Sequence, residues 1–271
     1  MSHLTRHHRT SHPWNGGGLS RERTLVIGIL LLLLNACATQ VPLPEVSVIA
    51  DPKAAWARTL AEYVDDRGRI DFVGVAAEPH DLETWIAYVA KVSPRNRPEL
   101  FPTLQDRLAY YIDAYNGLVM YGVIRSGAIP RQKIRFFHLR RYLVGNEEMS
   151  LNTLENDVIR PLGDARVHFA LNDMVKSSPR LPQVPWDATI LDDQLQAAAL
   201  EYFNAPYDVQ VDEQAQQVQL SELMDQYEED FLKEAPSLLG YVNRFRRQPV
   251  PTDYQVEFIP FNWKLNRQPR T

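Results

Sequence analysis

Cysteine is almost absent: Cys37 is the one thiol among 271 residues. One thiol cannot close an internal disulfide and cannot furnish a cysteine-rich zinc site. Basic runs are missing as well. Residues 37–271 carry 25 Lys and Arg against 33 Asp and Glu, a net −8. Phosphate binding needs a basic stripe, so this balance argues against nucleic acid as a partner. No apolar run is long enough to cross a bilayer. The longest, Leu25 to Leu34, reaches about 15 Å as a helix, half of a hydrocarbon core. Internal repeats are also lacking. What is present is an apolar content of 45% against 23% charged residues, enough to build a sizeable core.

The short apolar run has the dimensions of a signal-peptide h-region, and Arg21 and Arg23 precede it. It ends in Leu34-Asn35-Ala36-Cys37, which resembles the lipobox of bacterial lipoproteins, where cleavage precedes the Cys and its thiol carries a diacylglycerol. Ala38, rather than Asp, resembles an outer-membrane destination. The expectation is a signal peptide over 1–36, lipidation at Cys37, and a Pro-containing tether over 37–50. A single globular domain over 51–268 would then face the periplasm, with the membrane as a partner through the anchor.

Helical periods dominate the domain. Asp51-Pro52 is an N-cap followed by Pro at the first helical position, and the pattern runs toward Gly68. Residues 69–75 are predicted as a short strand and 81–92 as a helix. The longest periodic segment lies between Thr103, with Asp106 as its capping partner, and Gly127. Asp113 and Asn116 sit three apart in its apolar stripe, either as a structural staple or as part of a site. Ser150 caps a helix containing Glu155 and Arg160. Further helices are predicted over 191–203, from Ser221 to about 233, and from Pro236 to about 247. A hairpin is predicted around 212–216, and a strand over 254–258. Helices and strands without regular alternation indicate an α+β fold, with several helices packed on a small, mostly antiparallel sheet.

Val167 to Asn172 alternates, which predicts a buried strand delivering His168 and Asn172 to one face and Asp173 to its end. Pro179 and Pro182 end that strand in a loop carrying Ser177, Ser178 and Arg180. His168 is a candidate base or an inert core histidine. Asp173 is its candidate orienter, or a carboxylate capping nearby backbone. Ser178 is a candidate nucleophile or turn residue. Arg180 could bind a carboxylate or sit in solvent, and Glu155 could clamp a substrate or pair with Arg160 on the surface. Trp263 could wall a pocket or fill the core. His168 and Asp173 alone are too few ligands for a metal, and no cofactor is expected.

Four segments carry a resemblance. Tyr110-Tyr111-Ile112-Asp113-Ala114-Tyr115-Asn116-Gly117 resembles an aromatic-Ile-Asn-x-Tyr-Asn-Ala helix motif. Ser150 to Glu155, His168 to Asn172 with Ser177 and Pro179, and Phe261 to Asn266 resemble three more, in the same order. Together they resemble the bacterial and plant family called domain of unknown function 547, over roughly 52–266. That resemblance implies a papain-like or transglutaminase-like thiol enzyme performing acyl or amide chemistry. This chain departs from the pattern. Asp173 stands where the family usually has Cys, Ser178 where it often has a second, Asp113 for an Asn and Asn262 for an Asp. The departures imply a non-catalytic binding or scaffold module, a pseudoenzyme whose partner is a small molecule or an envelope protein. The alternative is a hydrolase of amide or peptide-like bonds using His168 with Asp173 or a Ser hydroxyl. The candidate residues are His168, Asp173, Asn172 and Ser178 for chemistry, and Asn116, Glu155, Arg180 and Trp263 for binding. A carboxylate at 173 beside His168 would raise the pKa of that histidine.

Overall fold

The computed structural model describes residues 39–45 and 51–269. The signal peptide, Cys37 and much of the tether lie outside these residues. Two residues, Thr39–Gln40, form strand β1. Asp51 accepts a hydrogen bond from the Ala54 N–H and starts helix α1 (Pro52–Tyr63) with Pro at its first position. Helix α3 (His80–Lys91) packs along it, and between them lies the short α2 (Phe72–Ala77). The strand predicted over 69–75 is absent. Asp71 accepts from the N–H groups of Val73 and Gly74, which winds this β-branched stretch into α2. Ile70 keeps only isolated bridges.

The long helix α4 (Leu104–Arg125) has the capping box expected of Thr103 and Asp106. Its middle, Leu108 to Gly122, is buried on all sides, so it is the axle of the first apolar cluster. Trp56, Trp85, Ile86 and Phe136 share that cluster with it. Beyond a π-helical turn (Ile134–Leu139), strands β2 (Arg140–Val144) and β3 (Glu147–Met149) form a tight antiparallel hairpin. Its two-residue turn, Gly145-Asn146, has positive φ at both positions. β1 pairs parallel to β2, completing a three-stranded sheet.

Ser150 caps α5 (Leu151–Thr153), which widens at once into a π-helical turn, Leu154–Ile159. The next described segment corrects the sequence reading: Ala165–Phe169 is a 3₁₀ turn capped by Asp164, so His168 is not on a strand. The alternation misled because both supposed faces, Val167 to Asn172, are buried. Local bonds from Val167, Ala170 and Leu171 N–H groups consume the backbone that a sheet partner would need.

Helix α6 (Leu191–Asn204) leads into strands β4 (Val209–Asp212) and β5 (Gln217–Ser221), the predicted hairpin. The predicted helix from Ser221 is broken at Tyr227 into α7 (Glu222–Gln226) and α8 (Glu228–Leu232), and α9 spans Leu238–Val242. Strand β6 (Gln255–Ile259) adds in parallel to β5. Phe169, Phe203, Phe231 and Tyr241 centre the second apolar cluster. The fold is thus α+β, with two small mixed sheets rather than one mostly antiparallel sheet. A papain-like arrangement is not confirmed. Among the described residues no helix is long and apolar enough to cross a membrane.

Residues 262–268 return to the start of the domain. The Ile70 N–H bonds Asn266 O at 2.9 Å, and the Asn266 N–H bonds Met174 O at 2.9 Å. The Lys176 N–H reaches Lys264 O at 2.9 Å. The segment therefore clasps residues 68–70 on one side and the loop after His168 on the other.

Candidate functional site

Helix α4 positions the site by stapling the loop that follows the 3₁₀ turn. Asn116 donates through Nδ2 to Ala170 O (3.0 Å), and its Oδ1 accepts the Asn172 N–H (2.8 Å). Asn172 in turn donates to Pro179 O (2.5 Å) and accepts the Met174 N–H (2.6 Å). Both asparagines are buried and fully engaged, so they hold the loop rather than meet a ligand. One turn earlier, the Asp113 carboxyl accepts from Trp56 Nε1 at 2.9 Å and from the Trp186 N–H at 3.2 Å. Burial raises its pKa to about 7 against those donors.

The stapled loop points Asp173 at Tyr115, whose hydroxyl donates to Oδ1 at 2.7 Å. Glu155, on the π-helical turn, accepts from the Tyr227 hydroxyl. A π-turn rotates side chains out of α-helical register, and such turns recur at functional sites. Glu155 and Asp173 border the same two adjoining clefts, with Tyr115 and Tyr227 between them. Burial is the largest cause raising both carboxyl pKa values, and the charge of Asp173 raises Glu155 further. Two carboxyls in one desolvated space hold protons more tightly than either would in water.

His168 and Ser178 border one of these clefts. The imidazole Nε2 lies 2.9 Å from Asp230 Oδ2, and Tyr227 stacks on its face at 3.9 Å. The sequence reading gave Asp173 as the partner of His168 and expected a raised pKa. The partner is instead Asp230, delivered by α8, and burial lowers the imidazole pKa despite that carboxylate. A neutral imidazole donating from Nε2 reconciles this with Asp230, whose pKa is depressed first by that hydrogen bond and then by Arg160. Nδ1 is left as a buried lone pair without a partner. The Ser178 hydroxyl accepts the Asp173 N–H at 3.1 Å.

The second cleft, about 110 Å³ and partly open, adds Lys133, Asn156 and Trp263. Lys133 Nζ stands 4.1 Å over the Trp263 ring, which Phe137 and Phe261 flank. Arg180 is elsewhere, paired with Glu201 at 2.5 Å. Arg160 pairs with Asp230 and Asn156, so the surface pairing expected of Glu155 and Arg160 is not formed. Among the described residues no three His, Cys, Asp or Glu side chains are grouped to hold a metal.

Sequence reasoning missed Tyr115, Lys133, Tyr227 and Asp230. Tyr115 was legible only through its place between Asp113 and Asn116. Asp230 lies in Glu228-Glu229-Asp230, which reads as a solvated helix start. No curated protein and no solved structure matches the chain. A family model does: residues 102–203, from α4 through the stapled loop to α6, match the family described as "Protein of unknown function, DUF547". That segment contains Tyr115, Glu155, His168 and Asp173, and over it the chain is similar to the DUF547 family.

Proposed function

We propose that the chain is a lipid-anchored, periplasm-facing binding module and not a thiol-type acyl-transfer enzyme. One observation carries this reading: position 173 holds a half-buried carboxyl bonded to Tyr115, while the only free nitrogen of His168 has no hydroxyl or thiol in hydrogen-bond geometry. An activated nucleophile needs that contact. The ligand best suited to the open cleft is a small zwitterion. Its ammonium group would face Glu155 and Asp173, and its acidic group would face Lys133, which forms no ion pair among the described residues. The lipobox-like segment supports the anchor and the compartment.

Calorimetric titration with a panel of amino acids and peptidoglycan fragments tests the binding reading. Saturable binding that weakens at least tenfold in both Glu155→Gln and Asp173→Asn is expected. No binding by any zwitterion would remove the reading.

A second reading rests on the same cleft. Asp230 orients the His168 imidazole and leaves Nδ1 free, as a base is held in hydrolases, and contacts that are loose in an empty site can tighten around substrate. Amide and γ-glutamyl substrates should give no turnover. Turnover abolished by both His168→Ala and Asp173→Ala would establish the hydrolase instead.

A further inference from the structure

A separate cavity opens between α6 and the loop from Ser178 to Trp186. Its walls are largely apolar, including Phe169, Val184, Trp186 and Ala198. Two side chains at its edge, Val184 and Tyr207, are 59% and 64% exposed. Arg180 and Glu201 also border it, but they neutralise each other. One charged group remains. Asp208 is 6% exposed and lines this cavity, and among the described residues its carboxyl accepts no hydrogen bond and meets no cation.

An unpaired carboxyl at such burial is costly, and native structures rarely keep one without use. Its position matters too. Asp208 ends the connection from α6 to β4, and its backbone is fixed by the Ser221 N–H bond to its carbonyl (3.0 Å). That bond ties the Asp208 main chain to the β4–β5 hairpin. Trp186 contributes a second buried group without a partner, its indole Nε1–H. The Tyr202 hydroxyl, near Ser221, likewise lacks a partner in hydrogen-bond geometry.

We propose that this cavity is a second binding site, which takes a monocationic amine with an apolar alkyl or arylalkyl body, its ammonium group paired with Asp208. The apolar walls would cover the body, and the exposed Val184 and Tyr207 would close over its outer end. This recognition is distinct from the zwitterion cleft, because no cation is available here for an acidic group. Arg180 is committed to Glu201. Burial alone raises the Asp208 pKa to about 8, so an arriving ammonium would displace a proton from a largely neutral carboxyl at pH 7. Binding should therefore tighten as pH rises from 6 to 8.

The test uses the full chain with 2-phenylethylammonium and n-butylammonium, and 2-phenylethanol and n-butanol as neutral controls. The readouts are thermal shift and the carbon NMR signal of the Asp208 carboxyl. Saturable stabilisation by at least one amine and by neither alcohol is expected. At saturation the Asp208 carboxyl should titrate at lower pH than in the free protein. Asp208→Asn should weaken binding at least tenfold, and Ala198→Phe, which fills the cavity and keeps the carboxyl, should do the same. The second variant decides the matter if the first fails to fold. No saturable shift with either amine overturns the proposal, and so does equal binding of amine and alcohol. Amine binding that survives in Asp208→Asn but is lost in Glu155→Gln would assign it to the zwitterion cleft and also overturn it.

Discussion

At the scale of the residue, burial outweighs charge in this domain. Asp113 illustrates it. Its carboxyl has two indole or amide donors and no cation in contact, so the desolvation cost of the charged form is met only in part. Its folded pKa of about 7 lies above the ordinary value of 3.8. The folded state thus binds this proton more tightly than the unfolded chain. The stability it contributes is complete below about pH 4 and is lost as pH rises through about 7. Asp113→Asn keeps an acceptor for Trp56 and carries no charge. The variant should melt several degrees above the parent at pH 8 and show no gain at pH 4, since a domain of this size shifts by about 2–4 °C per kcal/mol. Melting curves at the two pH values check this; an equal change at both would remove the charge from the explanation.

At the scale of the element, the sequence was legible where local signals agreed. The caps at Asp51, Thr103 and Ser150 and the helical periods beyond them gave α1, α4 and the start of α5. The turn around 212–216 gave the β4–β5 hairpin. Failure came where burial was uniform, as at Val167 to Asn172, because a pattern needs two environments to be informative. The candidate site was legible in half. His168, Asp173, Ser178 and Glu155 do converge on one cleft, yet the partners of His168, Asp173 and Glu155 lie 58 to 72 residues away in sequence. No local pattern encodes such partners. The β2–β3 hairpin was missed because its strands are short and β3 opens with two glutamates. Its turn makes a test. Gly145 has φ +60°, and a methyl there would lie 2.0 Å from Ser93 Oγ. Gly163 has φ +89° with open space around it. Alanine at 163 should cost only the left-handed backbone, about 1–2 kcal/mol. Alanine at 145 should cost visibly more in chemical denaturation; equal losses would mean that the turn does not press on Ser93.

At the scale of the whole molecule, the net −8 of residues 37–271 works against adhesion to polyanions. The anchor carries its own prediction. Cys37→Ser should leave an uncleaved or soluble precursor in fractionated cells, because the substituted residue has no thiol to lipidate. A mature Cys37→Ser protein that still sediments with outer membranes would rule out lipid anchoring at this residue.

The clasp made by residues 262–268 has a consequence in time. Gly68 O accepts from Asn266 Nδ2 across 198 residues of sequence, and Met174, Lys176 and Ser177 receive their partners from the same late segment. A ribosome that has made α4, the π-turn and even α9 has still not made the segment that bonds the loop after Asp173. The cleft beside Asp173 therefore depends on the last residues of the domain to be made. A chain stopped after residue 261 should show the loop at 174–178 cut early by protease while the buried middle of α4 stays protected. Full-length chain should lose both together, only when the whole domain unfolds.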